Sequence, residues 1–363
     1  MLFDLNVKER REDFFNYDKE LELLKRAMND DITRMIVIKG IRRIGKSSLI
    51  RVALNELKIP YVLIDARLLG VASVEDLLSA LATALTDAIK KFDFFRKLRS
   101  VLTRVSGIGV AGLSVIISGK KLSVFAEFIN LLNEFAEKET KRVVMVFDEA
   151  QDLRMIRGFE KVLAHVYDYC KNVKIVIAGS EVGVLDRLLG KNNPKAPLYG
   201  RAYLEIPMNR LDAESSKEFL RRGFEQLGVK VDDKDLNEAV AKLDGIIGWL
   251  TFYGYYRYHY GHEEALRRAV SEGTSIVRRE LENFLSIRRQ ARRRYLTIIK
   301  LLREPLSWSE IKRGLELELG MKIHQQQISR YLRELVDYGF LEKHGNLYKL
   351  ADPLLYEAVK SLK

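Results

Sequence analysis

Gly40-Ile41-Arg42-Arg43-Ile44-Gly45-Lys46-Ser47 sets two glycines, a lysine and a serine at the spacing of a phosphate-cradling loop. Glycine lets the backbone curl so that successive N–H groups point inward at phosphate oxygens. The Lys46 ammonium is then placed for the outer phosphates and the Ser47 hydroxyl for Mg²⁺. A loop of this kind needs a strand before it and a helix after it. Met35-Ile36-Val37-Ile38 is a short apolar run of strand type, and Ser48-Leu49-Ile50-Arg51-Val52-Ala53-Leu54 continues as a helix. That helix adds the positive end of its dipole to the anion site.

A second pair of residues supports the same chemistry. Arg142-Val143-Val144-Met145-Val146-Phe147 reads as a strand and ends at Asp148-Glu149. A carboxylate at such a tip can hold Mg²⁺, and an adjacent glutamate can polarise water attacking in line with a terminal phosphate. Two solvated acids at an ordinary strand end would be the bland alternative. Lys46 and Ser47 upstream favour the chemical reading, and Glu149 beside Asp148 favours a hydrolase over a kinase. The expected ligands are a nucleoside triphosphate and Mg²⁺.

The 363 residues suffice for two or three domains with their own cores. Lys and Arg outnumber Asp and Glu by 62 to 50, a net charge of +12 that suits an anionic partner such as nucleic acid. The single Cys170 excludes an intramolecular disulfide and a multi-cysteine metal site, and it fits a reducing cytoplasm. Five histidines show no zinc spacing, and His259 and His262 beside Glu263 read as surface positions. Met1-Leu2-Phe3-Asp4 leads into charged sequence with no secretory pattern. The uncharged stretch from Val105 to Gly119 is too short for a bilayer and is broken by glycines. It is expected to form a strand or hairpin. The location expected is cytoplasmic, with no membrane contact.

Apolar runs alternate with helical patterns from Met35 to Ile206, which predicts an α/β domain: a parallel sheet with helices on both faces. Its strands are Met35–Ile38, Tyr61–Asp65, Val143–Phe147, Lys174–Gly179 and Leu204–Ile206. An amphipathic helix is expected to open at Phe14 and run to Met28. Past Pro207 the strand signals stop. Asp212 should cap the first helix of a small helical lid. The aromatic run from Phe252 to Tyr260 suits packing of that lid, with base stacking as the rival. A single basic helix from Thr274 to Leu302 should then carry Arg288, Arg289, Arg292, Arg293 and Arg294.

The last segment predicts a winged helix. Ser309 is expected to cap one helix, and His324–Tyr338 to form the next, with Ile328, Tyr331, Leu332 and Leu335 inward. Leu341–Leu350 is expected to close as a hairpin on Gly345-Asn346. Gln325, Gln326, Gln327, Ser329, Arg330 and Arg333 then share the outer face, with Lys343 on the wing. These residue types suit base edges and phosphates of duplex DNA. Winged helices also dock proteins, so a protein partner stays open. The expected units are 1–208 for the nucleotide domain, 209–285 for the lid, and 286–363 for the basic linker and winged helix.

The motifs together resemble the archaeal ATPase-domain family, close to AAA+ and STAND ATPases, many of whose members end in a winged helix. The resemblance rests on the Gly40–Ser47 loop, Phe147-Asp-Glu-Ala-Gln151, Gly179-Ser-Glu181, Pro197-Leu-Tyr-Gly-Arg201 and Gly245-Ile-Ile-Gly-Trp-Leu250. It implies ATP held by Gly40, Ile41, Arg42, Arg43, Ile44, Gly45, Lys46, Ser47 and Ser48, with Tyr17 on the adenine side and Mg²⁺ on Ser47 and Asp148. It also implies that Ser180 senses the γ-phosphate and that Arg201 matches an arginine finger. A finger working in trans would require an ATP-dependent homo-oligomer. The chain departs from related lids at Ile247, where proline is common, and shows no lid arginine beside Trp249. The function expected is a slow switch ATPase whose nucleotide state governs duplex DNA engagement. An origin-recognition-like initiator is its variant, and an ATP-gated protein adaptor is the rival. No helicase motif series follows the loop, which disfavours a processive motor.

Overall fold

A computed structural model describes residues 1–69, 72–118, 120–191, 193–360 and 362. Gly119, at the end of the uncharged stretch, lies outside the described residues. The chain begins with α1 (Asp18–Asn29), β1 (Met35–Lys39), α2 (Lys46–Leu57) and β2 (Tyr61–Asp65). Helices α3 (Val74–Lys91) and α4 (Asp93–Leu102) follow, then strands β3 (Ile108–Ala111) and β4 (Ser114–Ile117) and helix α5 (Leu122–Lys138). Next come β5 (Val143–Asp148), α6 (Phe159–Tyr169), β6 (Val173–Gly179), α7 (Val182–Leu188) and β7 (Leu204–Pro207).

Five of these strands form one parallel sheet in the order β2-β5-β6-β1-β7. Every residue of β1, β5 and β6 is buried, because helices cover both faces of the central strands. Ile36 and Ile38 face one apolar core while Met35 and Val37 face the other. Register aligns the carboxyl ends: Asp65 opposite Asp148, and Lys39 opposite both Gly179 and Pro207. The functional loops therefore emerge along one edge, as open α/β sheets place their ligand sites. The uncharged stretch forms the antiparallel β3–β4 hairpin.

Helix α1 starts at Asp18, four residues later than the expected opening at Phe14. Tyr17 precedes it with φ of 56°, and this left-handed residue breaks the helical run.

After β7 come α8 (Ala213–Leu227), α9 (Asp233–Leu243), α10 (Ile247–His259) and α11 (His262–Ser286). Asp212 caps α8 by accepting the Ser215 N–H at 2.7 Å. Phe3 inserts between Gly223 and Gly254 and meets Phe219 and Phe224 edge-on, so the first residues of the chain belong to this helical core. Trp249 and Tyr253 are buried there, while Tyr255, Tyr258 and Tyr260 are exposed.

The expected basic helix is two helices. Helix α11 ends at Ser286, a 3₁₀ turn spans Arg289–Ala291, and α12 runs Arg292–Leu301. Arg288 turns back at the break, stacking on Phe284 and Tyr338 and pairing with Glu334 at 2.7 Å. The winged helix continues with β8 (Leu306–Ser307), α13 (Trp308–Leu319), α14 (Gln325–Asp337), β9 (Leu341–His344), β10 (Leu347–Leu350) and α15 (Leu354–Lys360). Its strands form an antiparallel sheet in the order β8-β10-β9, and Gly345-Asn346 makes the wing turn. The cap of α13 is Ser307, not Ser309. Ser307 and Glu310 satisfy each other's backbone N–H groups reciprocally.

Candidate functional site

Lys46 opens α2 and is 4% exposed. Its ammonium donates to the carbonyls of Gly40 at 3.0 Å and Ile41 at 2.9 Å, which hold it within the loop. Burial lowers its pKa, opposed by the charges of Glu149 and Asp148. Next to it, the Ser47 hydroxyl donates to Asp148 Oδ2 at 2.5 Å. Burial pushes the Asp148 carboxyl above its usual range, against the Ser47 hydrogen bond and with help from Glu149. A hydroxyl and a carboxylate in contact form a hard-oxygen pair that fits Mg²⁺ shared with phosphate oxygens and water. Among the described residues no cluster of His, Cys, Asp or Glu would hold an ion unaided.

Glu149 sits at the β5 tip with φ of 49°. Its Oε2 accepts from the Ser180 hydroxyl at 2.6 Å, the Ser180 N–H at 3.2 Å and Gln151 Nε2 at 2.8 Å. Burial alone would raise its pKa, but Lys46, these hydrogen bonds and Arg42 outweigh it and hold the carboxyl at about 2. The group is thus an ionised acceptor throughout the neutral range.

A cavity of about 320 Å³ opens beside Lys46 and Ser47. Tyr17, Phe219, Ile247 and Phe252 line its apolar part, and residues of an N-terminal strap, Leu2–Lys8, line another side. The Lys8 N–H donates to the Ser48 hydroxyl at 3.0 Å, anchoring the strap on α2. The lid touches the phosphate loop directly: the Gly248 N–H donates to the Arg43 carbonyl at 3.0 Å. A Cβ at residue 248 would lie 2.7 Å from the Arg43 Cβ, so this approach requires glycine. Arg43 also pairs with Glu280 and stacks on Trp249 at 4.3 Å.

Residues 14–251 match the family model described as an ATPase domain predominantly from Archaea. The chain belongs to that archaeal ATPase-domain family. Residues 289–351 match the C-terminal winged helix-turn-helix domain of MCM proteins. The walker-type ATPase paby2304 of Pyrococcus abyssi is 33% identical, with 99% of this chain and 100% of that one covered at a TM-score of 0.81. Aeropyrum pernix ORC2, in its ADPNP–ADP complexes, is 14% identical and shares the fold at a TM-score of 0.60, covering 99% of this chain and 96% of its own. No protein of curated function matches the chain in sequence.

In this member of the archaeal ATPase-domain family the segment Ser180–Arg187 reaches four places. Ser180 meets Glu149, and Glu181 pairs with Arg42 at 2.7 Å. Asp186 pairs with Lys39 at the end of β1 at 2.5 Å, and Arg187 pairs with Asp337 at the end of α14. Tyr338 accepts a hydrogen bond from Arg154 at 2.9 Å. On this side of Glu149 a chamber of about 630 Å³ separates the ATPase residues Arg42 and Asp152 from Phe284 and Tyr338.

The remaining candidates are dispersed. Arg201 stands three residues before β7 and pairs with Asp168 at the end of α6, at the sheet edge opposite the phosphate loop. Its own chain does not bring it to Glu149. Gln326, Gln327, Arg330, Arg333 and Lys343 are exposed. Ser329, expected on that open face, accepts the Trp308 indole N–H at 3.2 Å and is only partly exposed. Sequence reading missed the Leu2–Lys8 strap, Arg67, Glu280 and Asp337. Of these, Phe3 alone carried a signal, as a large apolar residue in a charged segment.

Among the described residues no helix is long and apolar enough to cross a membrane.

Proposed function

We propose that this ATPase is a slow Mg²⁺-dependent ATP hydrolase that uses the nucleotide to control engagement of duplex DNA by its winged helix. We take 1–208, 209–285 and 286–363 as its working units. The reading rests on one observation: the Ser180–Arg187 segment bonds both the hydrolytic carboxylate and the C-terminal end of α14.

Lys46 would hold the β and γ phosphates, and Ser47 with Asp148 would hold Mg²⁺, which neutralises phosphate charge when bound. Glu149, kept ionised by Lys46 and its hydrogen bonds, accepts the proton of the attacking water. The Ser180 hydroxyl now donates to Glu149. A γ-phosphate offers that hydroxyl a competing acceptor, and turning it displaces the segment that carries Glu181, Asp186 and Arg187. The α14 face with Gln326, Gln327, Arg330 and Arg333 stays open to solvent while its end is latched. Arg333 makes no ion pair among the described residues, so its charge is free for a phosphate.

Fluorescence anisotropy with duplex DNA, run with ADP and with AMP-PNP, tests the reading. Binding should differ between the two nucleotides and should fall by about 0.9 log units per phosphate contact for each tenfold rise in salt. Arg330→Glu with Arg333→Glu should abolish it and leave ATP binding intact. Absence of salt-sensitive duplex binding in any nucleotide state would overturn the DNA reading in favour of a protein-docking adaptor.

A further inference from the structure

The ATPase site has a cationic gap. In the transition state of hydrolysis negative charge is spread over the γ-phosphoryl and leaving oxygens, and many P-loop enzymes meet it with an arginine supplied in cis or in trans. Arg201 lies at the far sheet edge and is held by Asp168. Arg42 is bound by Glu181, and Arg43 by Glu280 and the face of Trp249. The lid places no arginine on the nucleotide cavity among the described residues.

Arg67 is placed differently. Strand register sets Asp65 directly opposite Asp148, and the short turn Ala66–Leu68 carries Arg67 just beyond that tip. Among the described residues, Arg43, Arg67 and Glu149 border both the nucleotide cavity and the chamber on the other side of Glu149. Arg67 thus stands at the opening between them, where a terminal phosphate approaches Glu149. Its side chain is 57% exposed and forms a fork on Asp65, with Nε at 2.9 Å and Nη2 at 2.6 Å. An exposed guanidinium with one carboxylate partner is free to change partners, unlike Arg42 or Arg43.

We propose that Arg67 contacts the γ-phosphate of bound ATP from within the same chain, and that Asp65 holds it until the nucleotide arrives. The proposal rests on the ATP-binding reading above. A terminal phosphate presents more negative charge than one carboxylate and the same forked geometry, so the guanidinium exchanges Asp65 for it. ADP offers no acceptor at that position.

Calorimetric titration of the full chain with Mg²⁺-ADP and with Mg²⁺-AMP-PNP separates the cases. Arg67→Ala should weaken AMP-PNP by about tenfold, the scale of one charge-assisted hydrogen bond, and leave ADP unchanged. Asp65→Asn keeps the Oδ1 that accepts the Arg67 N–H but removes the competing charge, so it should tighten AMP-PNP and leave ADP unchanged. Arg67→Ala should also lower kcat on the order of 10²–10³-fold, with Arg67→Lys recovering part of it. If wild type binds both nucleotides and the two variants alter them equally or not at all, Arg67 is a surface residue and the proposal falls while the ATP reading stands. If wild type binds neither nucleotide, both fall.

Discussion

Cutting the latch between α14 and the ATPase body should strengthen DNA binding, by an amount set by two contacts. Arg187 is 46% exposed and Asp337 15%, so their ion pair is partly screened and contributes at most about 1 kcal/mol. The Arg154–Tyr338 hydrogen bond, at 2.9 Å, adds roughly 0.5–1.5 kcal/mol. Asp337→Ala combined with Tyr338→Phe removes both and spares the packing of the Tyr338 ring on Phe284 and Arg288. A loss of about 1–2 kcal/mol shifts a docked–undocked equilibrium roughly 5- to 30-fold. Duplex affinity measured by anisotropy with ADP at fixed salt should rise by that factor, and the gap between ADP and AMP-PNP should narrow. Fixed salt matters because ionic strength weakens the latch and the phosphate contacts together. Affinity that is unchanged, or lower, with ADP would refute the idea that this contact restrains the winged helix.

Glu149→Gln should retain Mg²⁺-ATP and lose turnover, while Lys46→Ala loses nucleotide binding; undiminished hydrolysis by Glu149→Gln would remove the general-base assignment. The Glu149 carboxyl is depressed from 4.5 to about 2 on folding, so it stabilises the fold above the unfolded value and that share is lost as pH falls from about 4.5 towards 2; urea unfolding of wild type and Glu149→Gln should show their difference changing across that window and constant above it. Arg201→Ala should keep ATP affinity and, if Arg201 acts in trans, lose on the order of 10³–10⁵ in rate, with part recovered on mixing with Lys46→Ala subunits; no recovery, with an unchanged sedimentation coefficient, makes Arg201 structural. Phe3→Ala should destabilise the chain by about 3–5 kcal/mol in thermal unfolding, because Phe3 fills the space left by two glycines; a negligible shift would mean the strap is not part of the lid core.

What could be read from sequence was what neighbouring residues decide among themselves. The loop at Gly40–Ser47, the Asp148-Glu149 tip and the Gly345-Asn346 turn each follow from local backbone needs, and the mostly apolar β1, β5 and β6 follow from burial on both faces. The α13 cap was also legible: Ser307 has Glu310 three residues on, whereas Ser309 has Lys312. The break at Ile287–Ala291 was not, because no glycine or proline marks it. Its cause is tertiary, the folding of Arg288 back onto Phe284, Tyr338 and Glu334. Arg67 looked like any charge after a strand until the register placed Asp65 beside Asp148. Phe3 needed Gly223 and Gly254, and no pattern in the chain announces that three-way fit.

The hydrogen bond from Gly248 to Arg43 bears on how quickly the cavity can exchange its contents. Its walls include the phosphate loop, the strap and the start of α10. The strap is tied to α8 and α10 through Phe3, and α10 is tied to the loop by backbone atoms. A movement of the lid would therefore carry the strap with it and widen the cavity. A side-chain change at residue 43 would remove the contacts with Glu280 and Trp249 and leave the main-chain bond to Gly248 in place.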